Sequence, residues 1–562
     1  MKVNLQNGGS NRGSGRGSNR GSNRRSGHVL SNKKLMAILS IAGMVAYVGA
    51  IGGGSTAVQA ASHKRLVRPS SSSSATEERS GGEISRGPQT MTADQQIAHL
   101  LNRVTFGARP GDLEAVKAEG IRNYLASQLD PSSIAESPAV IEKVKNTPQL
   151  ETSPATLIAQ FREYQKENQE RKRRAKDGEA NPAEMRENLK KLTGQALVET
   201  RLVRAIDSKR QLQEVMTDFW YNHFNISIDK GLDHALVGAY EEQAIRPFAL
   251  GRFRDLLGAT CHHPAMLFYL DNWQNSKPGT MDRKGKEIGI NENYARELME
   301  LHTLGVDGGY SQKDVQELAR VLTGLGLAGP RVAQANGGWG YFNQQHHDFG
   351  DKVILGQQIK GSGEEEIEQC LDMLAKHPST AHHIAYQLAQ YFVADNPPKS
   401  LVDRLAAKFS QTDGNIKAVM STLFDSSEFW DGRYNNDKYK SPFRYTVSVF
   451  RATGTEPSDY FPVAQFLRLQ GQPVYGCLTP DGYKNTQSAW LNPDALMNRI
   501  NFATGIGTGK AKFLSDQPVD FKTALDTVNG GKLSPHTEAV IAKAPDPLKL
   551  SLLIGSPEFM RY

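Results

Sequence analysis

Residues 289–324, GINENYARELMELHTLGVDGGYSQKDVQELARVLTG, decide how the chain is read. They predict two helices around a glycine turn. In the first, Asn293, Arg296, Glu297 and Glu300 recur at i, i+3, i+4 and i+7, which places an amide, a guanidinium and two carboxylates on one face. Tyr294, Leu298 and Leu301 form the adjoining apolar stripe, the side expected to face a core. Ser311 and Asp314 make an S-x-x-D capping box that opens the second helix, and Gly324 stands where that helix should stop.

Working outward, helical periodicity dominates. Thr92 or Asp94 is expected to cap a helix carrying Ile97, Leu100 and Leu101. Residues 157–192 are heavily charged and read as a solvated helical excursion broken near 178–182. Successive helical patterns fill 196–326, and helices are again predicted over 364–376, 380–394, 400–409 and 415–424. Two more follow, one from an Asn492 cap with Pro493 at the first helical position, the other over 538–554. Between 328 and 357 the period is lost in a Gly/Asn/His-rich run, expected to be a long irregular loop or a small β excursion. LFDSSEF (423–429) and LIGSPEF (553–559) echo each other as two helix ends. The fold class predicted is all-α.

Several stretches share an order with a known family: HLLNRVTFGARPGDLEAV (99–116), MTDFWYNHFNI (216–226), HPAMLFYLDN (263–272), HHDFGDKVILG (346–356), HPSTAHHIAYQLAQYFV (377–393), AWLNPDALMNRINFA (489–503) and GSPEFMRY (555–562). With the 289–324 segment they resemble the bacterial family called domain of unknown function 1800, from about residue 95 onward. The resemblance implies an exported helical domain and no established reaction. His223, Glu297 and the His347-Asp348 pair lie inside its matching motifs, and His302 looks more replaceable there.

The chain has 562 residues and a formal charge of +7, but that charge is unevenly placed. Residues 1–60 hold eight Lys or Arg and no acid, leaving 59 basic against 60 acidic side chains beyond them. A nucleic-acid partner therefore finds no support in net charge. The leader has a basic, Ser/Gly-rich start, an apolar run over 35–51 and small residues at 57–60, the pattern of an export signal cleaved after Ala60. Its alternative is a retained membrane anchor, because residues 35–53 approach spanning length. Residues 61–91 are Ser-rich and poor in apolar side chains, so they read as a linker. A single helical domain is expected over 92–562. Cys261, Cys370 and Cys477 are widely spaced, which excludes a disulfide scaffold, although an exported chain could oxidise one pair.

The charged helix admits three chemistries. Glu297 and Glu300 could hold a divalent metal with histidines from elsewhere, as paired carboxylates on bundle helices do. They could divide acid and base roles, with Arg296 lowering one pKa and burial raising the other. Or Arg296 could bridge Glu292 and Glu300 in a purely structural ion network. His223 in WYNHFNI and His347-Asp348 in the irregular loop are further acid, base or ligand candidates. Asp271, Asn293, Arg296, His347 and Trp339 are candidate substrate contacts, with Trp220, Tyr221, Trp273 and Trp339 able to stack on sugar rings. No H-E-x-x-H, serine elbow or phosphate loop is present. The expectation is an extracytoplasmic hydrolase acting on a glycan with Glu297, Glu300, His223 and Asp348 as its catalytic groups. In that reading the carboxyl separation tells retention (about 5 Å) from inversion (about 6.5–9.5 Å). The alternative is a non-catalytic binding or assembly protein. The partner expected is an extracellular polysaccharide or another exported protein, with membrane contact only through an uncleaved leader.

Overall fold

Thr92 opens the first helix of the structure, a computed structural model that describes residues 89–176, 194–282, 284–328, 332–333, 335 and 337–562. The Thr92 side chain accepts from the Gln95 amide while Gln95 reaches back to the Thr92 amide, a full capping box on α1 (Ala93–Val104). The helices that build the site are α2 (Gln195–Asp207), α3 (Gln211–His223), α4 (Asp233–Tyr240), α5 (Asn293–Glu300) and α6 (Gln312–Val321). Behind them lie α7 (Glu364–Lys376), α8 (Pro378–Phe392) and α9 (Pro442–Thr453), and then α10 (Pro493–Gly507) and α11 (Asp546–Ile554). The fold is predominantly all-α. The leader and residues 61–88 of the 61–91 linker lie outside the described residues, as does the 177–193 part of the charged excursion, whose first half is helix Pro154–Lys176.

Among the described residues, strands are confined to short antiparallel pairs. Thr280–Met281 (β1) pairs with Glu287–Ile288 (β2), Leu325–Gly326 (β3) with Tyr341–Phe342 (β4), and Lys352–Ile354 (β5) with Gln357–Ile359 (β6). The irregular 328–357 run therefore contains the small β excursion, with β5 packed on α6. The pattern over 538–554 resolves into two helices, Pro535–Lys543 and α11, because Pro545 follows an extended Ala544 and restarts the chain. Asn492 caps α10 by accepting from the Ala495 amide at 2.8 Å. The echo at 423–429 and 553–559 is one shared turn: Ser426 accepts from Phe429 N–H at 3.2 Å, and Ser556 from Phe559 N–H at 3.1 Å.

Among the described residues one apolar core joins Leu100 and Leu202 to Trp220, Leu298 and Leu388. Trp220 is fully buried and donates its ring N–H to Ala249 O at 3.0 Å, so its polar atom is satisfied. Around it the chain buries ions as well. Arg201, Arg204 and Arg246 pair with Asp218, Glu214, Glu241 and Glu242, the last two presented by a π-helical turn that follows α4.

Candidate functional site: an open carboxyl on a charged helix

In α5 the sequence pattern sorts the side chains. Tyr294, Ala295, Leu298 and Met299 are buried, while Asn293, Arg296, Glu297 and Glu300 face outward. Asn293 donates to Leu270 O at 3.1 Å and Asn291 to Asp271 O at 3.4 Å, which ties the start of the helix to the 270–271 turn. Asp271 takes up a left-handed conformation there, φ 59°, and pairs with Lys230 at 3.3 Å. Arg296 donates to Glu292 at 3.1 Å and to Gln312 at 2.9 Å, and Gln312 donates to Glu292 at 2.7 Å. That closed triangle joins α5 to α6 and leaves Glu300 outside it. Glu300 lies instead against the Tyr310 hydroxyl; burial and that neighbouring charge push the phenol up to about 12.

Glu297, unlike Glu292, stands outside every ion pair on this face. It is half-buried, and among the described residues its carboxyl forms no hydrogen bond or ion pair. Burial and the charge of Glu300 push it up to about 6, Asp481 adds to the rise, and Arg296 only partly offsets it. Asp481 comes from a Thr479–Gly482 turn closed by Gly482 N–H on Thr479 O at 3.2 Å. Burial raises the Asp481 carboxyl, but hydrogen bonds from Lys484 and Thr479 outweigh it and hold the group below the usual carboxylate range. Tyr269, whose hydroxyl donates to Leu478 O at 2.9 Å, stands on the same side and feels the Glu297 charge.

The turn is held by the aromatic-rich segment at the end of α3. Asn222 donates to Tyr483 O at 3.0 Å and accepts from Tyr483 N–H at 2.7 Å. Asn225 donates to Thr479 O at 2.9 Å and Cys477 O at 3.2 Å. Gly482 has φ +65°, and a Cβ there would sit 2.3 Å from Asn222 O, so only glycine permits this approach.

The remaining candidates lie elsewhere. His223 is buried beneath the end of α5, with one ring nitrogen 2.7 Å from Gln387 Oε1 and the other 3.1 Å from His302 O. Burial and then His383 lower its pKa to about 4. His347 is sealed: one ring nitrogen faces Thr323 O at 2.8 Å, the other hydrogen-bonds Glu366, and Lys352 donates to Glu366 at 2.7 Å. All three side chains are wholly excluded from solvent. Asp348 is gripped by Arg320 through two hydrogen bonds of 2.8 and 3.2 Å. Trp339 packs half-buried against the His263 ring. Asp271, Asn293, Arg296, Glu297 and Glu300 are thus brought together, while His223, His347, Asp348 and Trp339 are taken up by other packing.

The model of a protein family described as being of unknown function, DUF1800, matches residues 99–561. The chain belongs to that family. No curated protein and no solved structure matches it.

In this DUF1800 chain, no group of three or more His, Cys, Asp or Glu side chains among the described residues is placed to hold a metal. His223 and His302 lie behind α5, so they do not converge with Glu297 and Glu300 as paired-carboxylate sites require. Cys261, Cys370 and Cys477 are buried and free, so the oxidised pair that export would allow is not formed. Burial pushes the Cys261 and Cys370 thiols up to about 12, which removes them as nucleophiles. Sequence reasoning overlooked Asp481 and Tyr269. A Thr-Pro-Asp-Gly turn is visible at 479–482, but no local spacing connects it to α5.

Proposed function

We propose that this DUF1800 protein is an exported hydrolase acting on a glycan, with Glu297 as proton donor and Asp481 as its ionised partner. The observation that carries the reading is an open, unpaired Glu297 carboxyl poised near 6 beside a carboxylate kept charged. Environments that push two carboxyl groups apart in pKa assign acid and base roles. Glu297 delivers its proton to the leaving glycosidic oxygen. Asp481 either takes a proton from the attacking water or attacks the sugar carbon itself, and water then completes the hydrolysis. Trp273 supports a sugar substrate: it is 45% exposed, stacks on Phe268, and lies two residues from Asp271.

Export rests on the leader pattern and cleavage after Ala60. No helix among the described residues is long and apolar enough to cross a membrane. N-terminal sequencing of protein recovered from the extracytoplasmic fraction tests this, and a chain starting at Met1 in the cytoplasm refutes it.

The deciding experiment measures reducing-end release from a panel of extracellular polysaccharides by the wild type, Glu297→Gln and Asp481→Asn. General acid–base catalysis predicts losses of roughly 10²- to 10⁴-fold in each variant, with the thermal midpoint preserved. Wild-type rates in Glu297→Gln, or no cleavage of any polymer, would hand the site to the second reading, a non-catalytic binding or assembly protein. That reading draws on the sealed His347–Glu366–Lys352 cluster and the Arg320–Asp348 pair, which are built as scaffold.

A further inference from the structure

On the other side of the 477–485 turn lies a cavity of about 70 Å³ between α3, α8 and α9. At about 10–15 Å³ of such volume per water, it holds roughly five waters: room for a head group but not a sugar ring. Its charged lining is Arg201, Arg444, Lys484 and Asp218. Asp218 is already committed, paired with Arg201 at 2.7 Å, and Arg201 takes Glu241 at 2.8 Å as well.

Arg444 is the unbalanced member. Its side chain is almost fully buried, and among the described residues it pairs with no carboxylate. One Nη donates to Asn102 O and Thr105 O, at 2.9 and 2.6 Å. The other Nη has only a long contact, 3.4 Å, with the Tyr391 hydroxyl. The guanidinium lies over the Tyr562 ring at 4.3 Å, so aromatic faces and carbonyls take its direct contacts, while Asp218 acts on it only through space. Arg103 and Arg499 are also buried without an acid, but neither lines this cavity. A buried charge left with donors to spare beside a water-sized space is an anion receptor in its chemistry. The rim residue Lys484 gives one N–H to Asp481 at 2.7 Å and has others to offer, and the Tyr391 hydroxyl, held only by a long 3.5 Å contact with Asp218, can turn to an anion.

We propose that this cavity binds one oxyanion head group, a carboxylate or a phosphate or sulfate ester, of a ligand whose remainder stays outside. The site goes beyond the Glu297 reading and does not depend on it. The 477–485 turn is a shared wall, with Tyr483 and Lys484 lining the cavity and Asp481 acting on Glu297.

Calorimetric titration of the full chain with sodium phosphate, sodium glucuronate and neutral glucose, at ionic strength held constant with sodium chloride, tests it. One equivalent of phosphate or glucuronate binds saturably and glucose does not. Tyr391→Phe weakens that binding about tenfold, the worth of a hydrogen bond to a charged group. Lys484→Gln weakens it a few-fold, by an amount that shrinks as salt rises. Arg444→Gln abolishes it. Where that variant fails to fold, the Tyr391 and Lys484 variants decide, because both leave the carbonyl bonds of Arg444 in place. Binding of phosphate alone assigns an ester ligand, and binding of glucuronate alone a carboxylate. No saturable binding of either, or binding unchanged in Tyr391→Phe and Lys484→Gln, overturns the proposal. Binding without polymer cleavage would remove the hydrolase reading and leave this one standing.

Discussion

Glu366 and Glu297 are two acids on helices that pack near α6, and they have met opposite fates. Glu366 sits with His347 and Lys352 in a cluster without solvent, every partner accounted for. Glu297 sits half in water with no partner and a carboxyl pushed up to about 6. A saturated buried network resists change and holds elements in register, here β5 and α7 with the end of the 328–357 segment. A solitary half-buried carboxyl costs stability once it ionises and can exchange a proton near neutral pH. Polar residues of similar type thus divide between scaffold and chemistry by their partners, not by their identity.

The comparison breaks most visibly at the sealed end. Glu366→Gln leaves Lys352 charged and buried, so unfolding in denaturant should show a loss of about 3–5 kcal/mol. A loss under 1 kcal/mol would mean that the cluster is open. Asn222→Ala comes next. It removes both bonds to the Tyr483 backbone and should cost about 2 kcal/mol, with faster proteolytic nicking within 478–485. Unchanged nicking would show that Asn225 alone holds the turn. Arg320→Ala frees the partly exposed Asp348 and should cost about 1 kcal/mol in the same denaturation assay.

Glu297→Gln is the smallest effect and has the opposite sign. The folded carboxyl titrates near 6 instead of its usual 4.5, so ionisation is penalised in the folded state. Below the usual pKa there is no penalty, and the penalty grows as pH rises to about 6. The variant should therefore be more stable than wild type by on the order of 1 kcal/mol at pH 7.5 and equal to it near pH 4. Thermal melts across that range check the sign, and a destabilised variant at pH 7.5 would place Glu297 with the scaffold.

Much of this was visible in the order of residues. A cap at Thr92, with Asp94 left open as its alternative, the capping box at Ser311, the proline after Asn492 and the two faces of α5 all arise from interactions within a turn or two, so local spacing reports them. The 328–357 run announced its loss of regular helical period by its glycines, although it keeps helical turns at 332–333 and Gln344–His346. His347 and Asp348 misled because a His-Asp pair on a loop looks available when the burying partners, Glu366 and Arg320, come from other elements. One of the three readings of α5 has Arg296 bridging Glu292 and Glu300; it does pair with Glu292, but its second partner is Gln312 of the next helix.

Periodicity and caps set the helices of this chain and put Glu297 on an outward face, because helix geometry depends on neighbours three and four residues apart. Tertiary packing alone chose which acid keeps its proton. It closed Glu366 under a histidine and a lysine, carried Asp481 from a distant turn to Glu297, and buried Arg444, without an ion pair of its own among the described residues, at the wall of a cavity. Desolvation and charge act through space, and sequence spacing carries no record of that distance.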